Sequence, residues 1–291
     1  MQVILHIGAH CTDEDRLINS LLKNAALLAR QGTAIPKPSL YRKLLREVLM
    51  SLSIAPPSPE AKEVFLAKVL EDEPADRLVL SSENLMGLPH RILENGTFYR
   101  LAPKRLAAMA DLMAGDEMEL FMGIRNPATF LPASFAKVEG RTFLEFLSGV
   151  DPLTIRWSEV ILRIREAVPD MPITVWCNED TPLIWGQILR EMGALEPNQK
   201  IKGNYDLLSE IMTSDGMTRF RTYLRTNPPQ TIVQQRRIIA AFLDKYALDE
   251  EIEEELDIPD IPEAHLIAMS EAYDEDIYEI ERIPGVNFIS P

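Results

Sequence analysis

Three places in the chain carry side chains whose chemistry singles them out: Glu83, Arg125 and the loop His10-Cys11-Thr12-Asp13-Glu14-Asp15. Each follows an apolar run, Leu78-Val79-Leu80 before Glu83, Phe121-Met122-Gly123-Ile124 before Arg125, and Val3-Ile4-Leu5-His6-Ile7-Gly8 before the loop. A carboxylate at the end of a strand takes a proton from a hydroxyl or amine if partial burial lifts its pKa; the alternative for Glu83 is to cap the turn that follows. The planar guanidinium of Arg125 suits a phosphate or sulfate, or else it pairs with Glu179 or one of the loop acids. Asn126-Pro127 behind it enforces a turn and opens a helix. Glu179 and Asp180 stand just before Pro182, where negative charge favours a helix N-terminus.

The loop acids have two readings. Asp13, Glu14 and Asp15 offer oxygens to Mg²⁺ or Ca²⁺, or they are acidic residues at a helix start with Thr12 or Asp13 as N-cap. His6 and His10 straddle a strand end, and only Cys11 is spaced to join them in a zinc set; no metal is expected. Lys202-Gly203-Asn204 is the one late basic-glycine element.

Positioning these residues requires strands that alternate with helices. Leu17, Ile18, Leu21, Leu22, Ala25, Leu28 and Ala29 recur at helical spacing, and Gly32 closes the pattern. Residues 35–59 hold five prolines around an amphipathic stretch, Tyr41 to Leu52. Helices are expected over 60–70, 103–113 and 153–168, strands over 78–82, 119–124 and 173–177, and a further helix from Pro182 to Gly193. This alternation predicts an α/β protein of three layers around a parallel sheet of about four or five strands, with any site at the strands' carboxyl ends. From Tyr205 onward the pattern is helical, with Pro228-Pro229 as a boundary. The expected organisation is a core over 1–200 and a helical, acidic extension over 201–291 packed on it as one structural domain.

Charge is unevenly placed. The chain has 291 residues and a net charge of -15. Between Asp249 and Glu281 stand fifteen acids and no Lys or Arg, so the remainder is balanced. Apolar residues at helical spacing from Leu266 to Ile280 and the ending Gly285-Val286-Asn287-Phe288-Ile289 predict that this segment docks on the core. Such a surface repels nucleic acid and anionic lipid. No apolar run approaches a membrane span, a signal peptide is not evident, and Cys11 and Cys177 fit a reducing compartment, so the expected location is cytoplasmic.

Taken in order, four segments resemble the sulfotransferase superfamily, whose members pass a sulfuryl group from 3'-phosphoadenosine 5'-phosphosulfate (PAPS) to an acceptor. His6-Ile7-Gly8-Ala9-His10 resembles the strand end before the 5'-phosphosulfate loop, and Leu78 to Leu85 with Ser81-Ser82-Glu83 resembles a bacterial "S-S-E-x-L" strand. Phe121 to Pro127 is similar to the strand and turn that supply the 3'-phosphate arginine, and Val175 to Asp180 to the late "Y-E-D-L" strand. The resemblance spans residues 3 to about 195 and implies a P-loop-like topology. It also implies Glu83 as general base, Thr12, Arg125 and Ser134 as ligands of PAPS or its product PAP, and a small or lipid-borne hydroxyl or amine as acceptor, in a pocket shaped by 35–59.

The departures lie in the donor loop. Where the family has lysine this chain has Cys11, where it has glycine Asp13, and where it has two hydroxyls Glu14 and Asp15; only Thr12 fits. The family serine falls on Ala133, with Ser134 one step late. A carboxylate 4 Å from a phosphate oxygen is repelled by about 4 kcal/mol at an effective dielectric of about 20. The alternative to an enzyme is therefore a non-catalytic descendant that keeps the fold and binds a protein partner or another ligand.

Overall fold

The computed structural model of the chain describes residues 1–197, 199–248 and 261–291. Among the described residues six strands form one parallel sheet: β1 (Gln2–Gly8), β2 (Thr33–Ala34), β3 (Arg77–Ser81), β4 (Glu117–Ile124), β5 (Ile173–Cys177) and β6 (Val286–Ile289), in the order β2-β3-β1-β4-β5-β6. Parallel strands are buried on both faces, which is why the central ones read as unbroken apolar runs. Alternate residues of each run serve opposite faces: Val3, Leu5 and Ile7 of β1 belong to one core and Ile4 to the other.

Helices Pro38–Leu52, Ala61–Leu70, Ala102–Leu112, Pro127–Phe135, Trp157–Ala167 and Glu263–Glu281 contribute to the first core. Helices Arg16–Leu22, Ala25–Ala29 and Thr181–Gly193 contribute to the second. The expected three-layer α/β architecture is present.

Two features differ from expectation. The sheet has six strands rather than four or five, because β2 is only two residues long and β6 lies in the part expected to be helical. The long first helix is broken in two at Asn24, whose side chain leaves the helical pattern to bond the backbone of Lys202: its amide donates to the Lys202 carbonyl at 2.9 Å and its oxygen accepts from the Lys202 N–H at 2.8 Å.

The C-terminal third divides in two. Leu208, Ile211, Met212, Met217, Phe220 and Ile239 form a small core of their own, while Leu266, Met269, Tyr273 and Ile280 join the main one. Asp276 ties the last helix down: its buried carboxylate accepts from the backbone N–H of Trp157 at 2.6 Å and of Ser158 at 3.2 Å, and from the Ser158 hydroxyl. It thereby caps helix Trp157–Ala167 from another element. The acidic run expected from Asp249 begins outside the described residues, which resume at Ile261.

Candidate functional site at the carboxyl edge of β1, β3 and β4

The connection after β1 leads to β2 on one side of the sheet, and the connection after β4 leads to β5 on the other. Strands whose exits diverge in this way leave a crevice at their carboxyl ends, the usual ligand position in an open α/β sheet. Residues 9–15 follow β1, Arg125 follows β4, and Glu83 follows β3 by way of Ser82.

Gly8 makes the exit from β1. Its φ is +92°, and a Cβ there would lie 3.2 Å from the Cβ of Glu83 and 3.3 Å from its Cα, so the loop can approach Glu83 only without a side chain. The Ala9 N–H then donates to the Gly123 carbonyl of β4 at 2.6 Å. Beyond it, Cys11, Glu14 and Asp15 all take left-handed backbone conformations, at φ 56°, 47° and 68°. Non-glycine residues in that region cost roughly 1–3 kcal/mol each and need support from their surroundings.

That support comes from the site's own side chains. Arg125 donates to the Cys11 carbonyl at 2.6 Å and to the Thr129 hydroxyl at 3.0 Å. Arg42 holds Asp15 with two nitrogens, one at 2.8 Å, and also donates to the Ser81 carbonyl at 3.0 Å. Thr12 turns its hydroxyl back to the Ala9 carbonyl at 2.8 Å. Asp13 accepts the Leu17 N–H on its carboxylate at 3.1 Å and the Arg16 N–H on its backbone carbonyl at 2.8 Å, so it does the work of a cap on helix Arg16–Leu22. Glu14 lies 3.7 Å from Lys137 and 3.8 Å from Arg16. Each loop carboxylate therefore has an intramolecular partner.

Thr12, Glu83, Arg125 and Ser134 come together around Cys11. Ser134 is fully buried with its hydroxyl 4.0 Å from the Cys11 sulfur. Burial pushes the Cys11 thiol pKa up, and Cys177, at the end of β5, is pushed up to about 12 by the same cause. Burial also raises the Glu83 carboxyl; Lys137 opposes the rise, and Asp13 and Asp15 add to it. The Lys137 ammonium stands 3.9 Å from Glu83, and although burial works against its charge, Cys11, Glu83 and Glu14 hold its pKa up. Glu179 does not take the partner role for Arg125 in a direct bond: its oxygens accept the Asn126 N–H at 2.8 Å and the Tyr273 hydroxyl at 3.1 Å, binding the last helix to the turn after β4.

His6 and His10 are held by separate partners within the protein. The Tyr99 hydroxyl accepts the His10 N–H at 3.2 Å and lies 2.6 Å from His10 Nδ1, while Nε2 is 3.4 Å from Asn84 Oδ1. The tautomer protonated on Nε2 satisfies all three contacts. Burial drives the His10 pKa down to about 4, so the ring is neutral at pH 7. His6, also lowered by burial, faces Ser81 through Nδ1 at 2.9 Å and Asp13 through Nε2 at 4.0 Å. Among the described residues no three metal-ligating side chains gather. Lys202-Gly203-Asn204 serves elsewhere, bonding Asn24, Trp185 and Arg190.

Arg42, Tyr99 and Lys137 were not among the expected site residues. Lys137 lies one helical turn past Ser134, and Arg42 shares a face with Leu45 and Leu49, so helical spacing carries a signal for both. Tyr99 sits in an irregular segment with φ 49° and has no such signal.

No known family model, curated protein or solved structure matches the chain. None of the described helices is long and apolar enough to cross a membrane.

Proposed function

We propose that this chain is a sulfotransferase-like protein that binds a ligand or partner rather than transferring a sulfuryl group. One observation carries the reading: the Asp13 carboxylate caps the helix after β1, in the place where an incoming phosphate would accept the same N–H. The surrounding cations are already engaged, Arg42 with Asp15, Lys137 beside Glu14 and Glu83, and Arg125 on the Cys11 carbonyl. With the loop so arranged, the residues present do not fit the phosphosulfate of PAPS. Growth of crystals with PAP tests this. The expected result is an unchanged loop with Asp13 on the Leu17 N–H; a nucleotide phosphate between Thr12 and Arg125 overturns it.

A second reading has one observation in its favour. Glu83, its carboxyl raised by burial, stands 3.9 Å from the Lys137 ammonium, so a base and a cation meet at the carboxyl edge. In that reading the protein transfers a sulfuryl group from PAPS to a small or lipid-borne hydroxyl or amine, with Glu83 as base and Thr12, Arg125 and Ser134 on the donor.

A further inference from the structure

A second concavity opens beside the strand end, between helices Pro38–Leu52 and Ala102–Leu112, with a volume of about 550 Å³. That lies within the range of small-molecule sites. Six of its lining residues are cations, Arg42, Lys43, Arg46, Arg91, Lys104 and Arg105, and none is an acid. The chain as a whole carries 45 acids against 30 bases, so a lining of one sign runs against its composition.

Three of these cations are neutralised from outside the groove: Arg42 by Asp15, Arg91 by Glu94 at 2.9 Å, and Lys43, loosely, by Glu47 at 3.9 Å. The other three are not. Among the described residues no carboxylate lies within 4.0 Å of Arg46, Lys104 or Arg105. Among the described residues Arg105 donates to the backbone carbonyls of Asn84 and Leu85, at 2.9 and 3.1 Å; burial and neighbouring Arg91 lower its pKa, and Glu94, beyond 4.0 Å, works against that fall.

The helix start sharpens the imbalance. Lys104 and Arg105 stand in the first turn of helix Ala102–Leu112, which has no acidic residue there and no side-chain cap. Cations at that end oppose the helix dipole, which favours an anion. Below them the floor is apolar and buried, formed by Leu45, Leu49 and Leu85. A bare inorganic anion leaves that floor unused, and a neutral apolar molecule leaves the cations unused.

We propose that this groove binds a single-chain amphiphilic anion, with its acyl or alkyl chain on the leucine floor and a carboxylate or phosphate head against Arg46, Lys104 and Arg105. The inference rests on the binding-protein reading for its biological sense and gives that reading a ligand class. The two fail separately, since PAP reports on the loop after β1 and an amphiphile reports on the groove.

The test is calorimetric titration of the full chain with dodecanoate and dodecyl phosphate, both below micelle formation. Dodecyl maltoside, inorganic phosphate and phosphatidylglycerol vesicles are the comparisons. The expected result is one-to-one binding of at least one dodecyl anion, about tenfold or more tighter than the maltoside or phosphate; the tighter of the two identifies the head group. Arg46→Ser with Lys104→Ser changes two exposed residues and is expected to weaken that binding by about tenfold or more. Ala108→Trp, which fills the groove beside the floor, is expected to abolish it. Equal binding of the neutral maltoside, equal binding of phosphate, or binding to vesicles without binding of the monomeric amphiphile would each overturn the proposal.

Discussion

His10 should make the protein lose stability in mild acid, by an amount the structure sets. Its ring is fully buried, stacked on Tyr99 with centroids 5.7 Å apart, and its pKa is pushed from 6.5 to about 4. Between those two values the unfolded chain holds a proton on this ring that the folded chain does not. The folded-state pKa is the lower one, so the stabilising contribution is complete above pH 6.5 and is lost as pH falls to about 4. One proton is worth about 1.4 kcal/mol per pH unit, and the window gives about 3 kcal/mol in all. His10→Phe keeps an aromatic ring beside Tyr99 and removes the titration. Urea unfolding of both proteins across the window should show the difference in their stabilities shifting in favour of the variant by about 1.4 kcal/mol per unit fall in pH. His6 and the buried carboxylates remain in both proteins and cancel in that difference. Parallel profiles would mean that the folded and unfolded chains protonate His10 alike, and that it does bring positive charge to the loop in mild acid.

Replacing Asp13 tests its work as a cap. Asp13→Ala removes the acceptor from the Leu17 N–H and should cost about 1 kcal/mol in urea unfolding, whereas Asp13→Asn keeps an acceptor and should cost less than half of that; equal losses would mean the cap is not what matters. Lys137→Met removes the cation 3.9 Å from Glu83. Both groups are about a third exposed, and loss of the cation that opposes the rise should lift the Glu83 pKa further in a carbon-detected NMR titration. An unchanged or lower value would place Lys137 elsewhere in solution.

The central strands were legible because burial on both faces leaves no polar alternation to read, and β1, β3, β4 and β5 all stand on the expected apolar runs. β2 and β6 carry too few residues to give a period, and pairing with β3 and β5 makes them strands. The break at Asn24 is likewise tertiary: a helical pattern continues through it, and the Lys202 backbone supplies the competing bonds. At the site, the sequence located the strand ends and so brought Thr12, Glu83, Arg125 and Ser134 to one place. It did not reveal which charges would neutralise one another. The cluster of loop carboxylates was visible from residue types alone, but the cations that neutralise them, Arg42 from the proline-bounded insertion and Lys137 from beyond the helix after β4, are set by the packing of distant elements.

Calorimetric titration with PAP of the wild-type chain and of Arg125→Ala asks whether the loop after β1, held by the protein's own groups, leaves room for a phosphate. With Asp13 on the Leu17 N–H, neither protein is expected to bind up to millimolar nucleotide. Micromolar binding to the wild-type chain that vanishes in Arg125→Ala would contradict it, because the loop would then have to give up its internal partners for a phosphate.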